Sequence, residues 1–354
     1  MTHEDASSPA ASSLARPVSG ANLPDGMQRA AAFAPINIAL SKYWGKRDYE
    51  RNLPLAPSVS VCIAELGTLT IVAPNLDLDG NVMLINDKPA DQKALVRVGR
   101  VMRSVRALAG TEVRAGVRAV NTVPTAQGLA SSASAFAALA RAATAAYGVG
   151  LDDGALSGIA RLGSGSACRS VHGGFVLWQR GERDDGSDSL AEQIATPEDW
   201  PLRAVIVHIG EGPKKTPSGE GMRLSADTSP FFSAFIDTCF RDVPECLGAI
   251  ASRDFERLGE VSEANCLAMH ATMLATRPGL IYWQAATVEV MHTVRRLRAV
   301  GVAAFFTIDA GPSVVVLCEA GAVDGVCTAI GGIPGVVKLT RTRVGGGAHL
   351  VPHG

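Results

Sequence analysis

Ile36, Ile38 and Leu40 alternate with Asn37, Ala39 and Ser41, and that period of two predicts a half-buried β-strand. A dense polar and aromatic turn follows, Lys42-Tyr43-Trp44-Gly45-Lys46-Arg47-Asp48; beyond the Pro54/Pro57 loop, Val59, Val61 and Ile63 alternate again. LGTLTIVAPN and NVMLIND predict short strands joined by an Asn/Asp turn, a meander. A helix is predicted over DQKALVRVGRVMRSVRALAG, with Leu95, Val96, Val98, Val101, Met102 and Leu108 on one face, Gly110 as its stop and its arginines facing water. RAGVRAVNTV predicts a strand and FAALARAATAAYG an Ala-rich helix ended by Gly148. The short helix DDGALSGIARLG comes next.

Gly163 to Gly174 predicts an irregular Gly/Ser stretch, after which Phe175-Val176-Leu177-Trp178 resumes as a strand. PLRAVIVHIG predicts a buried strand, and EGPKKTPSGEGMRL a basic then glycine-rich loop, mobile over a site. From Ser229 to Val300 the period is helical, broken at Arg277-Pro278-Gly279. VAAFFTI predicts a strand ending at Asp309-Ala310-Gly311-Pro312. The strand SVVVLCE, a helix from about Val323 to Ile330 and the strand VVKLTRTRV complete the pattern. The succession is α+β, and 354 residues suit two domains or one large bilobed one.

Composition narrows the chemistry. The chain is 47% hydrophobic but only 5% aromatic, so its core must come from Ala, Val, Leu and Ile. Basic and acidic residues number 33 and 34, which argues against a nucleic-acid or anionic-membrane surface and leaves any anionic ligand to a few local cations. Seven scattered cysteines without a CxxC pair read as reduced, buried thiols of a cytoplasmic protein. Seven histidines without HExxH spacing give no sign of a transition-metal site. No apolar run approaches the roughly 18 residues of a membrane span. The Ala/Ser/Pro-rich start lacks the apolar stretch of a signal peptide, so residues 1–28 are expected to be a disordered extension.

Four separate stretches carry candidate chemistry. Pro124-Thr125-Ala126-Gln127-Gly128-Leu129-Ala130-Ser131-Ser132-Ala133-Ser134 leads into a helix N-terminus, whose unpaired N–H groups and partial positive charge suit a phosphate. It lacks the Gly-Lys-Ser/Thr ending of a Walker loop, and a plain loop capping an Ala-rich helix has the same local look. Lys42, Lys46 and Arg47 share one turn with Tyr43 and Trp44, which suits a pocket wall as well as a solvated hairpin tip. Arg169, amid Ser164, Ser166 and Ser170, offers a fork for carboxylate or phosphate, or an exposed charge on a generic loop. Asp309 closes an apolar strand, as a turn former or as a carboxylate projected into a cleft. Together they point to phosphoryl chemistry on a small anionic substrate, with Asp309 as base or orienter.

APINIALSKYWGKRD, NTVPTAQGLASSASAFAAL, RLGSGSACRSVHGGFVLW and FFTIDAGPSVVVL, in that order over about residues 30–345, resemble the diphosphomevalonate decarboxylase family of the GHMP kinase superfamily. NCLAMHATML and PGLIYW are similar to its helical region. The resemblance implies a two-domain GHMP kinase fold: a ribosomal S5 domain 2-like ATP-binding domain over 29–200 and a ferredoxin-like GHMP domain over 201–345, with the site between them. It implies ATP with Mg²⁺, diphosphomevalonate as substrate, isopentenyl diphosphate as product, and a homodimer. Asp309 is then base or orienter for the substrate 3-hydroxyl, with Lys42 beside it. Arg169, held by Asn37, orients the substrate carboxylate. Tyr43, Trp44, Gly45 and Lys46, with Ser164, Gly165, Ser166, Ala167, Cys168, Arg169 and Ser218, bind the diphosphate. Pro124, Gly128, Leu129, Ala130, Ser131, Ser132 and Ser134 hold the ATP phosphates, with Ser131 or Ser132 on Mg²⁺. Ala56-Pro57-Ser58 and Gly219 depart from the family pattern, and Glu220 adds negative charge beside the expected diphosphate site. A phosphomevalonate decarboxylase, a mevalonate 3-kinase-like enzyme and a non-enzymatic ligand-binding relative are the competing expectations.

Overall fold

The computed structural model describes residues 23–122, 131–210 and 216–352. Strand β1 (Ala30–Ser41) is buried along almost its whole length, not half-buried as its alternation predicts, because both of its faces are covered. Its first half (Ala30, Ala32, Ala34) packs with an Ala-rich helix, while Ile36, Ile38 and Leu40 join a second core with Phe305 and Val315 far along the chain. A short hairpin, β2 (Lys46–Asp48) and β3 (Leu53–Pro54), leads into β4 (Ser58–Asn75). β4 is one strand of 18 residues that absorbs both predicted segments. It pairs antiparallel with β1 through a register shift after Pro35. A Cβ on Gly67 would lie 2.0 Å from the Ala34 carbonyl oxygen, so this crossing demands glycine.

The predicted meander is absent. β5 (Val82–Ile85) forms a small hairpin with β6 (Lys88–Pro89), and helix α1 (Gln92–Ala109) then carries the chain back to β7 (Arg114–Asn121), which pairs parallel with β5 and antiparallel with β4. Parallel neighbours need a crossover, and α1 supplies it. Asp91 caps this helix through the Ala94 N–H, and Gly110 ends it at φ 63°. Helices α2 (Ser131–Ala146) and α3 (Asp153–Gly163) cover the sheet. The Gly/Ser stretch is not a plain loop: it folds into the short helix α4 (Ala167–Val171) before β8 (Phe175–Trp178) pairs with β4, and β9 (Ala191–Ala195) joins β8.

Strand β10 (Arg203–Ile209) begins the second sheet. Residues predicted as a mobile loop instead form helix α5 (Ser218–Thr228), while 211–215 lie outside the described residues. Helices α6 (Phe232–Ser252), α7 (Phe255–Leu274) and α8 (Ala285–Ala299) precede β11 (Ala304–Thr307), β12 (Val314–Cys318), α9 (Val323–Gly331) and β13 (Val336–Arg343). The sheet is antiparallel in the order β11-β12-β10-β13. Val205 and Val207 face a core with α8 and α9, whereas Ala204 and Ile206 face the core shared with β1. Finally β14 (His349–Leu350) returns to pair with β1 on the first sheet. Within the expected N-terminal extension, residues 24–27 make a turn and the Gln28 N–H bonds the Ala146 carbonyl; residues 1–22 lie outside the described residues.

Candidate active site

The end of β1 and the end of β11 meet, and each delivers one charge. Lys42, only 1% exposed, places its Nζ 2.7 Å from Asp309 Oδ1. The same ammonium donates to the Ala39 carbonyl at 2.9 Å, which also accepts from the Thr307 hydroxyl at 3.0 Å. The Lys42 backbone N–H donates to Asn265 Oδ1 at 2.7 Å, and the Asn265 amide donates to Asp242 at 2.7 Å. Asp309 keeps 28% of its side chain exposed. The lysine is fixed on the protein side, and the carboxylate faces the cleft.

Arg169 is buried on α4 and gripped from two strands: its Nε donates to Asn37 Oδ1 at 3.2 Å and its Nη1 to the Ser58 hydroxyl at 2.6 Å. Asn37 in turn donates to the Ser166 carbonyl at 3.0 Å and the Ser170 hydroxyl at 2.7 Å. The guanidinium lies 5.8 Å from the centre of the Trp178 ring. Burial pulls its pKa down, and the neighbouring Asp309 charge opposes that shift. An arginine stays charged through such a shift, so it remains a fixed cation beside the carboxylate.

Both groups open onto one cleft of about 510 Å³. Of the residues singled out from the sequence, Asn37, Lys42, Tyr43, Trp44, Lys46, Ser132, Ser164, Gly165, Ser166, Arg169, Ser218 and Asp309 line it. Tyr43 sets its ring against Trp178 at 4.7 Å between centres, and its buried hydroxyl has no partner. A Cβ on Gly165 would sit 2.5 Å from that hydroxyl, so glycine there keeps the phenol in place. Trp44 spends its indole N–H on Ser225 at 2.9 Å, which leaves its ring as a wall.

Four expected contacts lie elsewhere. Gly45 packs toward Phe232 and Leu55, and Ala167 and Cys168 are fully buried beneath the cleft. Ser134 is fully buried on α2, with its hydroxyl 2.8 Å from that of Thr68, and does not line the cleft. Pro124, Gly128, Leu129 and Ala130 lie outside the described residues, as does the side chain of Ser131. Ser132 does reach the cleft, with its Oγ 3.3 Å from that of Ser164.

Helix α1 supplies what the sequence reading set in water. Lys93, Arg97 and Arg100 line the cleft opposite Lys46, and Arg100 and Lys93 continue with Arg223, Glu50 and Glu220 onto an outer rim. Arg97 donates to the Gly163 carbonyl at 2.7 Å and stacks 4.5 Å from the Phe136 ring centre. Of this helix's four arginines only Arg103 is well exposed, and Arg106 is buried. The Lys46 ammonium donates to Asn52 at 2.6 Å; burial pushes its pKa down to about 8, helped by Arg97, Arg100 and Arg223. Among the described residues, none of Lys46, Lys93, Arg97, Arg100 and Arg223 makes an ion pair. Cations gathered at close range without an ion-paired carboxylate make an anion site.

The comparisons agree along nearly the whole chain. The diphosphomevalonate decarboxylase-like N-terminal domain matches residues 34–191, and the mevalonate 5-diphosphate decarboxylase C-terminal domain matches 204–339. A diphosphomevalonate decarboxylase of Aspergillus fumigatus is 37% identical over 311 residues, spanning 81% of this chain and 76% of that protein. The chain belongs to the diphosphomevalonate decarboxylase family. A solved structure of the family, the mevalonate diphosphate decarboxylase from Enterococcus faecalis, described for its mevalonate diphosphate mediated ATP binding, is 37% identical with a TM-score of 0.84. It covers 92% of this chain and 100% of its own. A second, described as MDDEF in complex with MVAPP, AMPPCP and magnesium, gives the same identity, coverage and TM-score.

Ser58, Asn265 and the α1 cations were not legible as functional from the sequence of this family member. Ser58 and Asn265 are uncharged polar residues within a strand and a helix, and nothing local sets them apart from neighbours such as Ser60 and Ser262. Lys93, Arg97 and Arg100 do carry a signal, because i, i+4 and i+7 spacing puts them on one helical face.

Proposed function

We propose that this chain catalyses the ATP- and Mg²⁺-dependent decarboxylation of diphosphomevalonate to isopentenyl diphosphate, releasing ADP, phosphate and CO₂. The observation that carries this reading is the Lys42–Asp309 pair, at 2.7 Å, opening onto the cleft that Arg169 also lines. ATP supplies the phosphoryl group for the substrate 3-hydroxyl, and Mg²⁺ neutralises its phosphate charge. Asp309 accepts the hydroxyl proton as the oxygen attacks. A carboxylate beside an ammonium is a weak base, so its main work is to orient that hydroxyl. The C3–O bond then breaks with phosphate leaving, and the electron pair of the C–CO₂⁻ bond becomes the alkene. Positive charge builds at C3 meanwhile, and Asp309 is the anion placed to stabilise it. Arg169 holds the substrate carboxylate until it departs.

The remaining surfaces suit the rest of the substrates. Lys46, Tyr43, the Ser164–Ser166 segment and Ser218 at the N-terminus of α5 take the diphosphate, and Lys93, Arg97 and Arg100, which line the same cleft, support that reading. Ser132, at the N-terminus of α2, takes the nucleotide phosphates. Beside it lies an apolar cavity of about 190 Å³ walled by Met83, Ile85, Phe136 and Leu139, suited to a base. The Ser132 and Ser164 hydroxyls are oxygen donors of the class that Mg²⁺ takes. Among the described residues no cluster of His, Cys, Asp or Glu could hold a metal; a bound Mg²⁺ would be held by such hydroxyls together with the nucleotide phosphates. No helix among the described residues is long and apolar enough to cross a membrane; a cytoplasmic homodimer is proposed, as the resemblance implies.

A coupled assay of ADP and CO₂ with diphosphomevalonate tests the reading. Equal release of both supports it. ADP without CO₂ would make the chain a 3-kinase, faster turnover of phosphomevalonate would change the substrate, and nucleotide binding without turnover would leave a binding protein.

A further inference from the structure

Strand β11 is an edge strand: it pairs with β12 on one side only. Its residues alternate, so the backbone groups of Ala304, Phe306 and Ile308 point away from β12 and need other partners. No strand provides them. Side chains of α7 and α8 do so instead. The Ala304 carbonyl accepts from Arg298 at 3.4 Å, and the Phe306 N–H donates to Glu263 Oε1 at 3.2 Å. The Ile308 N–H donates to Cys266 Sγ at 3.2 Å. The Ile308 carbonyl accepts from the Cys266 thiol at 3.4 Å and from His270 Nε2 at 3.3 Å. Ile308 is the residue immediately before Asp309.

Resting on the reading of Asp309 as the reacting carboxylate, we propose that Cys266 and His270 are positioning residues for the reaction, gripping the Ile308 backbone so that Asp309 is held against Lys42. Positions 263, 266 and 270 are i, i+3 and i+7, one face of α7 laid along the strand edge. Asn265, on the same helix, fixes the Lys42 backbone at 2.7 Å. One rigid helix thus sets both members of a pair that the chain delivers from opposite ends of its sequence. Neither Cys266 nor His270 lines the cleft, so neither touches substrate. His270 is buried and stacked 4.7 Å from Trp283, and a carbonyl partner requires the proton on Nε2. Burial first, and then the Lys42 charge, push its pKa down to about 3, so it stays neutral and acts through hydrogen bonds to the backbone of Ile308 and Asp309.

The test compares variants of the full chain that separate the bond from the packing. His270→Phe keeps a ring against Trp283 but has no N–H, whereas His270→Gln gives up the stack and keeps a donor. Cys266→Ala loses the grip, and Cys266→Ser keeps a hydroxyl that both donates and accepts. Positioning predicts kcat on the order of tenfold lower in His270→Phe and Cys266→Ala, with both substrate KM values within about twofold. It also predicts recovery to within about threefold of the parent in His270→Gln and Cys266→Ser. A packing role predicts the reverse order at 270, with His270→Phe the better enzyme and the higher Tm, and that order would overturn the proposal. Parental kcat in His270→Phe and Cys266→Ala while Asp309→Asn is inactive would overturn it too, leaving the function intact. An active Asp309→Asn would instead remove the reading on which it rests. If Cys266→Ala fails to fold, the two His270 variants still decide.

Discussion

Lys46 gives the sharpest handle on the anion site. Its ammonium is crowded: burial and the three arginines Arg97, Arg100 and Arg223 bring its pKa from 10.5 to about 8. A substrate diphosphate needs the charged form, so in the free enzyme the competent fraction is 1/(1 + 10^(pH − pKa)). It falls roughly tenfold by one pH unit above that pKa, a difference of about 1.4 kcal/mol. We predict that kcat/KM for diphosphomevalonate, at saturating ATP and Mg²⁺, is flat near pH 7 and drops about tenfold by pH 9. In Lys46→Arg the plateau is lower, because the Asn52 contact is rebuilt imperfectly, but the alkaline bend is gone, since Arg does not deprotonate in this range. In Arg97→Ala the bend moves toward higher pH. Initial rates of ADP release between pH 6.5 and about 9.5 read all three. A parental profile flat to pH 9.5, or an unchanged bend in Lys46→Arg, would refute the reasoning. The same shift has a stability sign: Lys46 binds its proton less well folded than unfolded, so unfolding free energy rises with pH between about 8 and 10.5.

Three further predictions concern single side chains. Asp309→Asn should retain nucleotide binding by titration and lose turnover by about two orders of magnitude or more; near-normal rates would take Asp309 out of the mechanism. Arg169→Lys cannot keep both the Asn37 and Ser58 contacts, 3.2 and 2.6 Å away on different strands, and should lower kcat/KM at least tenfold; an unchanged value would show that charge alone suffices. Gly165→Ala forces a methyl within 2.5 Å of the Tyr43 hydroxyl and should raise KM for the diphosphate substrate several-fold with little change in KM for ATP; equal shifts in both would mean the cleft had collapsed generally.

What the sequence made legible was local. Helix α1 follows from its apolar spacing and from Gly110, whose φ of 63° is the left-handed cap that glycine adopts freely. Asp309 was visible as a strand-end carboxylate because the run before it is apolar but for Thr307. Pairing was not legible. Nothing in NVMLIND says that it passes over one position to lie parallel to β7, since that choice belongs to the α1 crossover. Nor does Ile36-Asn37-Ile38 say that its polar face is dry, because what covers it comes from residues 166 and 170. Arg97 shows the limit most clearly. Its side chain looks solvated on a helical wheel, and only the Gly163 carbonyl and the Phe136 ring, brought by two other helices, turn it into a cleft wall.

The two halves of the cleft differ in how well they are satisfied before any ligand arrives, and the difference follows from their work. Lys42 and Asp309 form one ion pair, and Asn37 and Ser58 hold Arg169 by hydrogen bonds, so the groups of this centre are fixed in place although it carries two cations to one carboxylate. A bond-making site gains from this, because groups already in place need not reorganise as charge develops. Lys46, Lys93, Arg97, Arg100 and Arg223 are the opposite case. They repel one another and depress the Lys46 ammonium. That repulsion destabilises the empty site and disappears when a polyanion enters, so it adds to binding without requiring any group to move. On the proposed function, substrate affinity would come from a rim without ion pairs, and turnover from a centre already held in place. Helix α7 fixes Lys42 and the Ile308 backbone through bonds in which no rim cation takes part.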